Sequence, residues 1–243
     1  MNQSTPILET RGLCRRFGGV VAVDNVDFQL QQNELRCIIG PNGAGKSTFF
    51  KCLTGQMQVS AGSVYLGGTD VTKCEPFDIA RLKVATKTQV PNLFDGLSAR
   101  ENIWISARRA AKDNREADQI ADASLEQAAL KSVANTRVGQ LAHGVRQWVE
   151  LAMIMASRPK LVLLDEPIAG MTKTEVSRMV DVLAEIRKSA SVIVVEHDMK
   201  FVRRIANKVT VFHNGRVFLE DECDRVFQDQ RVRDIYLGRE FVA

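Results

Sequence analysis

Residues 40–48 combine glycines, one lysine and two hydroxyl side chains at a spacing that suits a polyphosphate. Glycines let the backbone wrap closely around an anion, and the helix that follows adds the positive end of its dipole. In such a loop Lys46 reaches the β- and γ-phosphates, and the Ser47 hydroxyl can ligate Mg²⁺. The predicted phosphate-binding residues are Gly40, Pro41, Asn42, Gly43, Ala44, Gly45, Lys46, Ser47 and Thr48.

The flanks of this loop favour a binding site over a glycine-rich turn that binds nothing. The apolar run 37–39 enters the loop as a buried strand would, and the segment 48–53 leaves it as a helix. Gly55 stands where that helix should stop. A strand, a loop and a helix in this order form the context in which the pattern binds nucleotides.

Two further apolar runs end in residues that could act on a phosphate. Residues 161–164 are continuously apolar, as in a parallel strand covered on both faces, and Asp165 and Glu166 follow them. The first acid can hold Mg²⁺ and the second can polarise an attacking water. His197 follows the apolar run 192–195 closely and could hydrogen-bond a γ-phosphate. These strand ends should meet at one edge of one sheet, where open α/β sheets bind ligands.

Over nearly all of its length the chain resembles the ATP-binding subunits of ABC transporters. The resemblance implies that residues 40–48 are the Walker A loop and residues 161–165 the Walker B strand. It also implies that Glu166 is the catalytic glutamate and that His197 is the switch histidine. ATP and Mg²⁺ are the cofactors that follow from this resemblance.

Two more residues take their expected roles from the same resemblance. Gln89 matches the glutamine that meets Mg²⁺ and water, so it joins Glu166 and His197 in the expected catalytic set. The expected metal set is Ser47, Gln89 and Asp165. Phe17 stands where the family places an aromatic ring against adenine, a stacking contact of about 1–3 kcal/mol. A core role for Phe17 is the alternative, because most aromatic side chains serve packing.

The family's signature, usually Leu-Ser-Gly-Gly-Gln, falls on residues 141–145 and departs from that pattern. Ala142 lacks the hydroxyl that elsewhere contacts a γ-phosphate, and His143 and Val145 replace a glycine and the glutamine. Gly144 and the helix that begins near it remain, so backbone donors could still face a phosphate. Because the family forms head-to-tail dimers in which this signature serves the partner's nucleotide, we expect a heterodimer with two unequal ATP sites.

The order of patterns predicts an α/β fold, with paired strands before the phosphate loop and a helical stretch after it. The resemblance implies a P-loop NTPase core built on a RecA-like parallel sheet, an N-terminal antiparallel β subdomain and an inserted α-helical signature subdomain. We expect one ABC ATP-binding domain over residues 1–243, with residues 1–90 and 158–243 as the nucleotide-binding core and 91–157 as the helical subdomain. Local signals include capping boxes at Ser98/Glu101 and Thr172/Glu175 and a hairpin turn at Asn214-Gly215.

The composition of the chain argues against a nucleic-acid partner and against a membrane-spanning helix. The net charge of +4, from 33 basic and 29 acidic residues, is too small to predict a nucleic-acid partner. No apolar run approaches the ~20 residues of a membrane helix, and the longest candidate, 148–156, carries Glu150. No secretory signal is visible, and five cysteines without metal-like spacing suit a reducing cytosol. The family resemblance implies in addition that the protein lies at the cytoplasmic face of the inner membrane, attached through permease subunits.

Within the family the chain looks like the ATPases that drive uptake of branched-chain amino acids, amides and urea. The marks are residues 196–199, Ala169-Gly170 and the tail 235–238, while residues 170–172 and Gln147-Trp148 favour the urea type. The implied partners are a second ATP-binding subunit, two transmembrane permease subunits and a periplasmic binding protein that selects the substrate. An exporter ATPase of the lipopolysaccharide type, a soluble ABC ATPase acting on ribosomes or DNA, and a non-catalytic ATP-binding scaffold are the alternatives.

Overall fold

The computed structural model describes residues 5–88 and 92–236, which form two β-sheets surrounded by helices. The first sheet is antiparallel, in the order β2-β1-β4-β5. Its strands are β1 (Leu8–Phe17), β2 (Val20–Leu30), β4 (Ala61–Leu66) and β5 (Thr69–Asp70). The predicted antiparallel strands before and after the phosphate loop are therefore confirmed.

The second sheet has six strands in the order β10-β9-β3-β8-β7-β6. Its strands are β3 (Leu35–Ile39), β6 (Val84–Lys87), β7 (Leu161–Asp165), β8 (Ser191–Val195), β9 (Lys208–His213) and β10 (Arg216–Glu222). All neighbours are parallel except β9 and β10, which form a hairpin. Because β3, β8, β7 and β6 run in one direction, their carboxyl ends lie along one edge.

The nine α-helices of the described residues connect and cover these strands. They are α1 (Lys46–Leu53), α2 (Pro76–Arg81), α3 (Ala99–Arg108), α4 (Asn114–Gln127), α5 (His143–Ala156), α6 (Lys173–Ile186), α7 (Met199–Ile205), α8 (Cys223–Gln228) and α9 (Gln230–Tyr236). Two short 3₁₀ turns, Lys131–Val133 and Val138–Gln140, lie between α4 and α5. The α/β fold expected from the sequence is thus confirmed.

Every residue of β3, β7 and β8 is buried, because the six-stranded sheet is covered on both faces. Successive side chains alternate between the faces: Leu163 joins the core under the antiparallel sheet and α1, whereas Leu164 joins the core under the helices. The helices α3 to α5 share this second core with the sheet, and Trp148 is buried in it. The division of the chain into a core and a helical subdomain at residues 91 and 157 stays a prediction.

Local signals in the sequence place several boundaries correctly. At α3 the Ser98 hydroxyl accepts the N–H of Glu101 and the Glu101 carboxylate accepts the N–H of Ser98, a complete capping box. Thr172 and Glu175 form the same arrangement at α6. Asn214 and Gly215 both have positive φ, 49° and 77°, as a two-residue hairpin turn requires.

No helix among residues 5–88 and 92–236 has both the length and the apolar character needed to cross a membrane.

Candidate functional site

The phosphate loop follows β3 directly and turns the chain into α1. Gly40, Gly43 and Gly45 take φ values of 154°, 80° and 100°, which side-chain-bearing residues rarely adopt. A Cβ atom on Gly40 would lie 2.3 Å from the carbonyl oxygen of Phe212, and one on Gly45 would lie 2.3 Å from that of Ala22. Glycine is therefore required at both positions by backbone conformation and by close packing.

The turn between β9 and β10 is hydrogen-bonded to the phosphate loop and to β2. The N–H of Gly215 donates to the carbonyl of Ala44 over 2.9 Å, and the carbonyl of Gly215 accepts the N–H of Asp24 over 2.8 Å. Arg216 donates to the carboxylate of the same Asp24. The turn thus fixes the phosphate loop between β2 and the C-terminal hairpin.

Lys46 is nearly buried, with 9% of its surface exposed. Its ammonium donates to the carbonyls of Gly40, over 2.6 Å, and Pro41, over 3.0 Å, so it lies inside the loop. Burial lowers the pKa of Lys46, and the nearby carboxylates of Glu166 and Asp165 oppose this shift. The loop lysine and the acids after β7 therefore share one electrostatic environment, as the two sequence motifs predict.

Asp165, the last residue of β7, is buried, and its Oδ1 atom accepts no hydrogen bond from any described residue. Burial raises the pKa of Asp165, the neighbouring Glu166 raises it further, and Lys46 lowers it. A buried carboxylate oxygen without a donor fits a hard cation such as Mg²⁺, which prefers oxygen ligands. No group of three His, Cys, Asp or Glu within the described ranges could hold a metal by itself. Such a cation would therefore need phosphate or water oxygens and the Ser47 hydroxyl besides Asp165.

Glu166 and His197 face each other at the ends of β7 and β8. Glu166 has a φ of 47°, and its N–H donates to the carbonyl of Val195 over 2.9 Å. A carboxylate oxygen of Glu166 lies 3.6 Å from Nδ1 of His197. A left-handed glutamate is strained, and such strain concentrates at functional sites. The structure thus brings together the two residues expected to act on the γ-phosphate.

Glu196 is a buried residue of this edge whose role the sequence pattern does not predict. Its carboxylate accepts the N–H of Ile168 over 3.3 Å and that of His197 over 3.0 Å. Burial raises the pKa of Glu196, and these backbone donors oppose the shift. Glu196 therefore ties the turn after β7 to the turn after β8 and fixes the backbone that carries Glu166 and His197.

The altered signature lies at the start of α5, on a different element from the phosphate loop. Ala142 is the N-cap residue, and its side chain offers no capping hydrogen bond. His143 begins the helix; its Nε2 atom lies 3.2 Å from the amide nitrogen of Gln147, which donates to the carbonyl of Ala169. The assignment of Ala142 and Gly144 to a partner's nucleotide stays a prediction.

Phe17 ends β1 with 43% of its surface exposed, so the core role considered for it is wrong. The guanidinium of Arg15 lies 4.6 Å from the centre of the Phe17 ring, and the ring remains at the surface. Its stacking on adenine stays a prediction. Gln89 falls outside the described residues, and its role in metal binding stays a prediction as well.

Comparison with known proteins agrees with this geometry. Residues 23–169 match the family described as ABC transporter. The chain is 34% identical to the high-affinity branched-chain amino acid transport ATP-binding protein BraF of Pseudomonas aeruginosa, over 97% of this chain and 99% of BraF. It is 31% identical to LivG of Escherichia coli K12, which carries the same description, with the same coverage.

A solved structure of an ATP-binding cassette of an ABC transporter, MJ1267 in its ADP conformation, has a similar fold. Its TM-score is 0.83 at 26% identity, and the match covers 96% of this chain and 99% of that one. The loop around Lys46 and the acids after β7 lie within the matched residues 23–169. The chain belongs to the ABC transporter family, as an ATP-binding subunit that hydrolyses ATP.

Proposed function

We propose that the protein powers an ABC importer for branched-chain amino acids. The observation that carries this proposal is the 34% identity to BraF over nearly the full length of both chains. The name of BraF states that it serves branched-chain amino acid transport. Import of urea or a short amide is the second candidate, favoured by residues 170–172 and by Gln147-Trp148. Gln147 binds the Ala169 carbonyl, and the Arg178 guanidinium stacks 4.0 Å from the centre of the Trp148 ring. Gln147 thus joins α5 to the turn after β7, and Trp148 joins α5 to α6.

The residues at the carboxyl edge divide the work of hydrolysis. Backbone N–H groups of residues 42–48 and the Lys46 ammonium would hold the phosphates, while Ser47, Asp165 and Gln89 would hold Mg²⁺. Glu166 orients the attacking water, and His197 donates to the γ-phosphate. When bound, Mg²⁺ neutralises phosphate charge, so catalysis is mainly positioning and electrostatic stabilisation.

A groove of about 440 Å³ between α2, β6, α3 and α5 is the proposed docking site for a permease subunit. Its lining includes Phe77, Arg81, Lys83, Arg109, Glu150 and Ile154. Phe77 is exposed although it is a large apolar residue, and three basic side chains, Arg81, Lys83 and Arg109, line the same groove. A permease segment in this groove would cover Phe77 and lie beside these basic side chains. Docking of two permeases would hold a pair of ATP-binding subunits at the cytoplasmic face of the membrane.

The test of this function is transport by the complete complex. The protein would be co-expressed with candidate permeases, a second ATPase and a binding protein from the same organism, and ATP-dependent uptake into vesicles would be measured. We expect labelled leucine to accumulate, and no accumulation when Lys46→Ala is combined with the equivalent lysine substitution in the second ATPase. Uptake of urea alone would select the second candidate. Movement of a lipid in the opposite direction would contradict import.

The altered signature leads to a second prediction, that the working dimer has unequal sites. In a head-to-tail heterodimer Ala142 faces the partner's ATP, whereas the set around Lys46, Asp165 and Glu166 meets the partner's signature. A missing hydrogen bond to a charged phosphate is worth about 1.5–3 kcal/mol, or about tenfold to a hundredfold in rate if it forms only in the transition state. We therefore expect Ala142→Ser to raise hydrolysis at the partner's site.

The measurement pairs Ala142→Ser with a Gln substitution of each catalytic glutamate, so that turnover at each site is read separately. Ala107→Ser, at a buried alanine on α3, is a poor control, whereas Ala123→Ser, at an exposed alanine on α4, tests the substitution alone. Equal loss of turnover from the two glutamate substitutions would show equal sites. No gain from the serine would mean that the backbone N–H groups near Gly144 suffice.

A further inference from the structure

A buried lysine ends β6, outside the set of residues that the nucleotide chemistry uses. The side chain of Lys87 is 1% exposed, and its ammonium lies 3.9 Å from a carboxylate oxygen of Glu150 on α5. Removing an ammonium from water is strongly unfavourable unless an opposite charge compensates it. The pairing with Glu150 supplies that charge across two separate elements of the fold.

Glu150 is as deeply buried as its partner and attaches α5 at two points. Its Oε2 atom, which faces Lys87, accepts no hydrogen bond from the described residues, whereas its Oε1 atom accepts the N–H of Asn92 over 3.0 Å. One carboxylate therefore joins α5 both to the end of β6 and to Asn92. The attachment to Lys87 is electrostatic, while the attachment to Asn92 needs only an oxygen acceptor.

Lys87 is also the last residue of β6 and pairs with Leu164 of β7, next to Asp165 at the carboxyl edge of the sheet. Burial lowers the pKa of Lys87, and attraction by Glu150, Asp165 and Glu196 opposes that shift. These three acids belong to α5, to β7 and to the turn after β8. The positive charge of Lys87 is thus shared between Glu150 on α5 and the acids at the edge where hydrolysis takes place.

We propose that Lys87 is a positioning residue for ATP hydrolysis, which through its pair with Glu150 sets the place of α5 relative to the edge that carries Asp165. Because α5 begins at His143, a displacement of this helix moves Ala142 and Gly144 as well. The phosphate loop lies on β3 and α1, so nucleotide binding to one subunit does not depend on the pair. Loss of the pair should therefore lower turnover and spare ATP affinity.

Three variants separate positioning from simple stability. Lys87→Met keeps the aliphatic chain and removes the charge, while Glu150→Gln keeps an oxygen for the Asn92 N–H and removes the charge. Each single change leaves one buried charge unpaired, which destabilises the fold. The double variant removes both charges, so its stability should return towards that of the wild type. The exposed pair Lys188–Glu185, 2.6 Å apart on the last turn of α6 and the residues after it, provides the control as Lys188→Met/Glu185→Gln.

We expect kcat in the assembled transporter to fall about tenfold in both single variants and to stay low in the double variant. A tenfold change lies within the range seen for residues that couple two sites without touching either ligand. The Kd of the isolated full chain for ATP should stay within about twofold of the wild type, and the control pair should change neither quantity. Recovery of kcat together with thermal stability in the double variant would reduce the pair to a packing role. A parallel loss of ATP affinity, or unchanged kcat in the single variants, would also overturn the proposal.

The inference rests on ATP hydrolysis within a dimer, as the proposed function does, but not on the transported substrate. Binding of ATP to the isolated chain needs no permease, so this arm remains informative if the substrate assignment fails. A wild-type complex that hydrolyses ATP but transports neither amino acids nor urea would reject the proposed substrates. The comparison of Lys87 and Glu150 variants would still decide the positioning role.

Discussion

Lys46→Ala is expected to abolish ATP hydrolysis and to weaken ATP binding by about tenfold to a hundredfold. The ammonium lies inside the phosphate loop, 2.6 Å from the carbonyl of Gly40, where a β- or γ-phosphate oxygen can reach it. Each hydrogen bond to a charged group is worth about 1.5–3 kcal/mol, which sets the expected loss of affinity. Removing one charge-stabilising group typically lowers kcat by a further factor of about 10²–10³.

Calorimetry with ATP measures the affinity, and phosphate release from the assembled complex measures turnover. Lys51→Ala is the matched control, because Lys51 is an exposed lysine on the same helix. We expect the control to bind ATP within about twofold of the wild type. Unchanged affinity in Lys46→Ala would contradict the assignment of residues 40–48 as the phosphate site.

Glu166→Gln is expected to retain ATP binding and to reduce turnover by about 10²–10⁴-fold, the usual contribution of a positioned general base. Glutamine keeps the shape of the side chain and the backbone bond to Val195, but an amide cannot accept a proton from water. ATP would then remain bound, and the dimer would stay closed around it. Size-exclusion chromatography with ATP, and nucleotide content after gel filtration, measure this trapped state.

A matched exchange at an exposed helical position, Glu185→Gln, controls for the loss of one negative charge. Turnover near the wild-type rate in Glu166→Gln would remove this residue from catalysis. Loss of ATP binding would instead assign Glu166 a structural or metal-binding role. His197→Ala in the same assay distinguishes a defect in water activation from one in contact with the γ-phosphate.

Sequence patterns locate the phosphate loop and the acids after β7 because those signals are local. Glycine spacing, a buried apolar run and the start of a helix are all visible within residues 37–53. The capping boxes and the turn at Asn214-Gly215 are predictable for the same reason, since each depends on neighbouring residues. The fold class then follows from alternating strands and helices around these points.

The parts that sequence reasoning missed depend on contacts between distant segments. Glutamate has no preference for a left-handed backbone, so the φ of Glu166 follows from its position between β7 and β8. Glu150 interrupts an apolar run, and nothing near it in the chain indicates a partner at Lys87. The burial of Glu196 is equally hidden, because its donors lie in the turns after two different strands.

The phosphate loop is synthesised long before the strands and the turn that hold it in place. Both strands that flank β3, namely β8 and β9, and the turn that holds Ala44 lie in the last quarter of the sequence. A ribosome adding about 5–20 residues per second therefore releases the loop many seconds before it releases Phe212 and Gly215. A nascent chain that ends before this hairpin lacks the walls of its own nucleotide pocket. We therefore expect ATP to bind only after residue 215 has been synthesised, too late to guide the folding of the segments before it.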